Sequence, residues 1–510
     1  MIAAHLPRLG TAMLAGFAVL MVAMSWWQVV TASALEARPD NPALIAAHRS
    51  QPRGTIFDRE GVVLASTQVI DDLARRTYLD AASTHLLGYT SLRYGTAGVE
   101  RAWDELLIGL RDPNPLHDVV NDVLQRPPEA QDLVLTVDHR LQVLASDLLS
   151  GSVGAVVAID PATGAVLALA SSPTFDATAI SGDPATAEEP WLALQQDPNL
   201  PLVNRALNGV YVPGSVMKVL TAGSALDAGV ITPDTTFPTQ PQEEVDGLVV
   251  NGFTIVEHDL AGVTPALWDL SEAMQISSNI YFAHVGLALG QEPYLAGAEA
   301  FGFCDDLRVG PAGHALSVSA SSVTALADPG CEPLVDDAEL ASAAFGQGRV
   351  VATPVQMALV AATIANGGTM LDPFVVSEVH VPDPDGGAGT TVAGFDTPGR
   401  RQVISRVAAD QVRSAMVDAV HGPLGAPYAG AANVANYGIA GVETAGKTGT
   451  AERGEGLPPH SWFIGFAAAQ PGATPEIAVA VIIEGGGPGS ASAAPIGGRV
   501  MAEWLRLSGF

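Results

Sequence analysis

The stretch YVPGSVMK, Tyr211 to Lys218, decides how the rest of the chain is read. It sets a serine and a lysine three positions apart at the start of an expected helix, from Ser215 to about Ala228, that stops at Gly229. Helix positions i and i+3 share a face, so Ser215 and Lys218 can meet. A serine hydroxyl becomes a strong nucleophile when a neighbouring base takes its proton. Lysine can be that base once burial or a second cation leaves it neutral. Alone, Ser-x-x-Lys recurs by chance, and a surface helix is its ordinary reading. The rest of the chain argues otherwise. Of 24 basic side chains, only Lys218 and Lys447 are lysines. Arginine cannot be deprotonated in a protein and offers a different donor geometry. Two retained lysines therefore mark two places that need an ammonium group.

Lys447 opens KTGT, Lys447 to Thr450, and between the two lysines lies Ser277-Ser278-Asn279, a Ser-x-Asn. The order Ser-x-x-Lys, Ser-x-Asn, Lys-Thr-Gly resembles the signature of penicillin-binding proteins and serine β-lactamases. Upstream, RGTIFDREGVVLA, Arg53 to Ala65, reads as strand, tight turn at Gly61, strand. It resembles the signature that opens the non-catalytic region of class B penicillin-binding proteins, where Asp58 and Arg59 are expected to be structural. Gly88 to Gly109 looks like the companion piece. The segment before the catalytic region is too short for the glycosyltransferase domain of class A members and carries no such motif. It most resembles the penicillin-binding protein A type of actinobacteria.

The resemblance implies a mixed α/β fold of the penicillin-binding protein and serine β-lactamase type. Its parts are a five-stranded antiparallel sheet flanked by helices, a small N-terminal pedestal and one transmembrane helix. It also implies a peptidoglycan D,D-transpeptidase: Ser215 attacks the carbonyl between the terminal D-alanines of a stem peptide, and an amine of a neighbouring stem peptide takes the acyl group. Lys218 is then the base, Ser277 relays a proton to the leaving amine, and Asn279 holds Lys218 or the substrate amide. Lys447 keeps the site electropositive for the substrate carboxylate, with Thr448 and Thr450 adding donors and Gly449 letting substrate approach. The backbone N–H groups of Ser215 and Thr450 form the oxyanion hole. β-Lactams are the implied inhibitors, and a membrane glycan polymerase of the rod-shape and division family is the implied partner. Two alternatives stay open: a D,D-carboxypeptidase or β-lactamase on the same site, and a β-lactam sensor or scaffold. The class A β-lactamase element Glu-x-x-Leu-Asn is absent, and Ser-x-Asn departs from the Ser-x-Val of class D. A sensor would need a cytoplasmic signalling portion, and only about eight residues precede the apolar segment.

A net charge of −30 argues against nucleic acid as a partner and against docking on anionic lipid. The 11 histidines are scattered without HExxH, and Cys304 and Cys331 lack metal-ligand spacing, so no metal or other cofactor is expected. In an exported domain the two cysteines are expected to pair. Leu9 to Val30 is almost wholly apolar and reads as a transmembrane anchor, with residues 1–8 cytoplasmic and the remainder outside. The rival is a signal peptide cleaved near Ala32-Ser33-Ala34. Residues 36–131 form the non-catalytic pedestal, ending in linker-like DPNP and RPPEAQD, and residues 133–510 the catalytic domain, which opens on a strand at Leu133 to Thr136. Within it we expect a helix capped by Asp138, a hairpin from Gly154 to Ser172, and one helix from about Leu270 to Leu289 carrying Ser277 and Asn279. Next come a capping box at Thr353, a loop from Asp383 to Gly399, three strands around KTGT, SWFIGFAAA and EIAVAVIIE, and a last helix from about Pro495. The glycine-rich run after that third strand, EGGGPGS, lacks the lysine of a phosphate-binding loop and reads as a flexible loop.

Overall fold

The computed structural model describes residues 6–27, 52–70, 73–111, 129–183, 185–258, 263–326, 330–383, 387–395, 399–454 and 456–510. Its first helix, α1, spans Leu6–Ser25. A pedestal follows, with strands β1 (Ile56–Phe57), β2 (Val63–Ile70) and β3 (Leu73–Tyr78). Then come β4 (Asp132–Leu135), α2 (His139–Leu148) and the hairpin β5 (Gly154–Ile159) and β6 (Val166–Ser172). The middle of the chain is helical: α3 (Lys218–Asp227), α4 (Leu270–Ile276), α5 (Asn279–Leu289) and α6 (Pro354–Ala365). Strands β7 (Val376–His380) and β8 (Thr391–Gly394) precede β9 (Glu443–Ala451), β10 (His460–Ala468), β11 (Ile477–Ile483) and α7 (Ala493–Leu507).

The central sheet has five antiparallel strands in the order β9-β10-β11-β5-β6, assembled from both ends of the catalytic region as the resemblance implies. Its inner strands read as unbroken apolar runs because both faces are covered. Along β11, Ala478, Ala480 and Ile482 join the core cluster that contains α6 and α3, whereas Val479, Val481 and Ile483 join the cluster of α2 and α7. Helix α6 is buried along all 12 residues. Thr353 caps it by accepting from the Gln356 N–H at 3.3 Å, with Pro354 at the first helical position. The reciprocal half of the expected capping box is not made, because the Gln356 amide donates to the Phe301 carbonyl at 2.7 Å instead.

Four expectations are corrected. First, Leu270 to Leu289 is not one helix. Ser277 sits at φ +63° as the C-cap of α4, and the hydroxyl of Ser278 caps α5 by accepting from the Tyr281 N–H at 3.1 Å. Second, the strand expected to open the catalytic domain pairs with the pedestal. β4 runs parallel to β1 and antiparallel to β7 in a six-stranded sheet ordered β8-β7-β4-β1-β2-β3, so this sheet crosses the expected boundary at residues 131–133. Third, Asp383 to Gly399 contains β8, which pairs with β7. Fourth, the glycine-rich segment after β11 is pinned: the Ser461 hydroxyl donates to the Pro488 carbonyl at 3.2 Å and accepts from the Ala493 N–H at 3.1 Å.

The signature around Asp58 joins the two parts. Its Oδ1 accepts from the N–H groups of Glu60 (2.8 Å) and Val62 (2.7 Å), closing the turn at Gly61, and its Oδ2 accepts from His139 N–H at 3.0 Å at the start of α2. The Arg59 guanidinium lies 5.0 Å over the Trp504 ring of α7. Behind them, Glu100 is fully buried between Arg53 and Arg76. Cys304 and Cys331 form a disulfide with Cα atoms 5.3 Å apart. The expected linker falls largely at residues 112–128, and both the end of the expected anchor and the cleavage-site-like Ala32-Ser33-Ala34 lie beyond residue 27, outside the described residues. Among the described residues no helix is long and apolar enough to cross a membrane.

Candidate active site

The turn that carries Ser215 is set by what flanks it. Gly214 to Met217 form one turn of 3-10 helix that runs into α3. Gly214 adopts φ +58°, which a residue with a Cβ rarely tolerates, and a Cβ there would stand 2.7 Å from the Thr450 carbonyl. Its N–H donates to the Gly346 carbonyl at 2.9 Å. On the other side, a Cβ at Gly449 would lie 2.9 Å from the Pro213 carbonyl and 3.1 Å from Val216 Cγ1. The glycine of the Lys-Thr-Gly motif therefore lets the serine turn press onto β9. Ser215 remains half-buried at this junction.

Lys218 points inward and is fully buried. Its ammonium group donates to the Ser277 carbonyl, to Ser277 Oγ at 3.2 Å and to Asn279 Oδ1 at 2.9 Å. Lys447, 1% exposed, reaches the same hydroxyl from β9: its Nζ lies 2.7 Å from Ser277 Oγ and 3.1 Å from the Thr448 carbonyl. The helix break makes this possible. With Ser277 in the left-handed region between α4 and α5, its carbonyl and hydroxyl both face the lysines, while Asn279 opens α5 beside it. Among the described residues no hydrogen bond joins Ser215 to Lys218; catalytic hydrogen bonds commonly tighten only in the substrate complex. The structure thus brings Lys218, Ser277, Asn279 and Lys447 into one hydrogen-bonded cluster, with Ser215 and the Lys447–Thr450 stretch of β9 alongside it.

Burial acts on both lysines. It lowers Lys218 to about 7, against the opposing pull of the Glu257 carboxylate. Lys447 is pushed well below its ordinary value by burial and then by the nearby Lys218 ammonium. Thr448 is buried and Thr450 half-buried, and β9, at the edge of the sheet, has one backbone edge without strand pairing among the described residues. Tyr211, His460 and Trp462 pack together beside the site. Trp462 Nε1 donates to the Val212 carbonyl at 3.0 Å, and the Tyr211 hydroxyl donates to Glu484 at 2.8 Å.

Sequence reasoning passes over Glu257. Its carboxylate accepts from the Asn279 N–H (2.8 Å), the Ser278 hydroxyl (2.7 Å) and the Ile280 N–H (3.2 Å), capping α5 directly under the cluster. An acid 22 positions upstream carries no local signal for this role. Glu244 lies beyond it, accepting from Trp268 Nε1 at 2.7 Å, and burial raises its carboxyl.

Comparison with known proteins gives one consistent result. Residues 154–502 match the penicillin binding protein transpeptidase domain, and residues 53–133 match the penicillin binding protein A dimerisation domain. The chain is 33% identical to the peptidoglycan D,D-transpeptidase PbpA of Mycolicibacterium smegmatis, covering 98% of this chain and 99% of that protein. It is 33% identical to PbpA of Mycobacterium tuberculosis, covering 99% of both. The structure of penicillin-binding protein A from M. tuberculosis as a ceftriaxone acyl-enzyme superposes with a TM-score of 0.76 at 31% identity, covering 89% of this chain and 98% of that one. A D,D-transpeptidase domain from Eggerthella lenta superposes with a TM-score of 0.72 at 30% identity, covering 90% and 99%.

Proposed function

Because this chain belongs to the class B penicillin-binding protein transpeptidases, we propose that it is a serine-type peptidoglycan D,D-transpeptidase that β-lactams acylate. The observation that carries the reading is the Ser277 hydroxyl held between two buried lysines, Lys218 at 3.2 Å and Lys447 at 2.7 Å, beside the turn of Ser215. Neutral Lys218 takes the proton of Ser215 as its oxygen attacks the penultimate D-alanine carbonyl of a stem peptide. The N–H groups of Ser215 and Thr450 meet the oxyanion where negative charge develops. The proton passes from Lys218 through Ser277 to the departing D-alanine amine. Asn279 keeps Lys218 aimed, and the free edge of β9 receives the substrate backbone as an added strand. Lys447, Thr448 and Thr450 take the terminal carboxylate, and an acceptor amine then claims the acyl group.

We further read the apolar run Leu9 to Val30, of which α1 is the described part, as a single-pass anchor that leaves the catalytic domain outside the cell. Its described side chains support this: Leu14 is 73% exposed, Phe17 62% and Val22 71%, with Trp26 and Trp27 at its far end. An anchor followed by a pedestal also suits a membrane glycan polymerase as partner. The test of the function supplies the purified enzyme with a pentapeptide donor, with and without an amine acceptor. D-Alanine release with a cross-linked product is expected. Release by hydrolysis alone, unaffected by any acceptor, would make it a carboxypeptidase.

A further inference from the structure

Glu257 belongs to none of the three motifs, yet among the described residues it is the acid closest in bonding to the lysine pair. Its side chain is 3% exposed. One residue connects it to Lys218: Asn279 donates its N–H to Glu257 at 2.8 Å and accepts from Lys218 Nζ at 2.9 Å. Lys447 has no such link; its Nζ meets Ser277 Oγ and the Thr448 carbonyl. Two buried ammonium groups sharing one hydroxyl repel each other, so a single proton for the pair is the low-energy state.

We propose that Glu257 is a positioning residue that, up to about neutral pH, keeps this shared proton on Lys218 in the free enzyme, so that the proton crosses to Lys447 only when a substrate carboxylate arrives there. The inference rests on the transpeptidase reading of the site. The crossing conserves protons. Lys218 gives one to Ser277 Oγ as the hydroxyl's own proton passes to the Lys447 amine, across the 3.2 Å and 2.7 Å contacts already present. Lys447 becomes the cation that holds the carboxylate, and Lys218 becomes the neutral base that Ser215 needs. Base and substrate thus appear together. The direction of the electrostatics agrees: Glu257 raises Lys218, whereas Lys447 feels burial and the charge of Lys218.

Other groups face the pair. His258 Nε2 donates to the Ile276 and Ser277 carbonyls at 3.0 and 3.1 Å, the second of which Lys218 also bonds. Glu244, raised by burial, contacts the Ser278 hydroxyl at 3.5 Å. The Phe282 ring lies 5.7 Å from Lys218 Nζ. Among the described residues, none of these contacts joins a carboxylate to Lys218 through one bonded residue, as Glu257 does.

The experiment measures acylation of the full-length protein by a fluorescent penicillin between about pH 5.5 and 9. For Glu257→Gln, the rise of the second-order rate with pH should move about one unit to lower pH, since without the negative charge the pair sheds its second proton, leaving the single shared one, more readily. Glu257→Asp should restore the wild-type midpoint. A Glu257→Gln profile that is scaled down but not displaced would reduce Glu257 to a structural cap and overturn the proposal. A second measurement needs no variant. At saturating ligand, benzylpenicillin methyl ester, which lacks the carboxylate, should acylate with its midpoint at higher pH than benzylpenicillin; equal midpoints would also overturn it. If wild type is not acylated at Ser215 at all, the function fails and not merely this inference.

Discussion

Lys218→Met exchanges a buried amine for an apolar side chain of similar length, and its consequence for stability follows from the site. In the unfolded chain a lysine stays protonated until about pH 10.5, whereas in the fold Lys218 is lowered to about 7. A cation whose folded value is depressed is held neutral in the native state between those limits, while the unfolded state still binds the proton. Stability should therefore rise with pH across that window, with a slope of up to about 1.4 kcal/mol per pH unit. Lys218 is fully buried, so solvent screening removes little of this. From pH 7.5 to 9.5 its share amounts to about 2 kcal/mol. Lys218→Met should lose that share, and its urea-unfolding free energy should climb more shallowly than that of wild type over the same pH range. The assay is urea titration at four or five pH values, followed by near-ultraviolet circular dichroism, with both proteins in the same detergent. Parallel climbs for the two proteins would refute the argument, because Lys218 would then carry its proton equally in both states.

Gly449→Ala should slow acylation by about a hundredfold, because a Cβ 2.9 Å from the Pro213 carbonyl lifts the serine turn off β9 and misplaces the nucleophile; overpacking should also cost about 1 to 3 kcal/mol of stability. Stopped-flow acylation and thermal unfolding check the two halves. Replacing both Cys304 and Cys331 by serine should lower stability by about 3 to 4 kcal/mol, from the chain freedom returned to the unfolded state; a change under about 1 kcal/mol in denaturant titration would contradict it. Asp58→Ala leaves the N–H groups of Glu60, Val62 and His139 without their carboxylate. It should destabilise by about 2 kcal/mol or more while leaving acylation of the folded fraction within about twofold, as limited proteolysis and active-site titration together would show.

The candidate catalytic residues were legible where their chemistry is local. Ser215 and Lys218 share one turn, Lys447 opens a four-residue motif, and two lysines among so many arginines stand out in composition alone. The central sheet was legible because strands covered on both faces, such as β11, read as unbroken apolar runs. What escaped depends on distant partners. β4 looks like the start of a domain, yet its neighbours are β1 in the pedestal and β7 far downstream. β8 exists as a strand through its pairing with β7 inside a glycine- and proline-rich stretch. The break at Ser277 carries neither glycine nor proline to announce it; Ser278 capping the next helix, with Glu257 beneath, holds the serine in the left-handed region. The glycine-rich run after β11 has the composition of a flexible loop, and its order comes from Ser461, which no local pattern links to it.

The identity of the nucleophile tests the account most directly. After brief reaction of the full-length protein with a labelled penicillin, trypsin should release the peptide Ala206 to Lys218, in which Ser215 is the sole serine. The label should reside on that peptide at Ser215, and Ser215→Ala, still folded by circular dichroism, should take up none. Label on a different residue of the wild-type protein, or undiminished labelling of Ser215→Ala, would contradict the site described above.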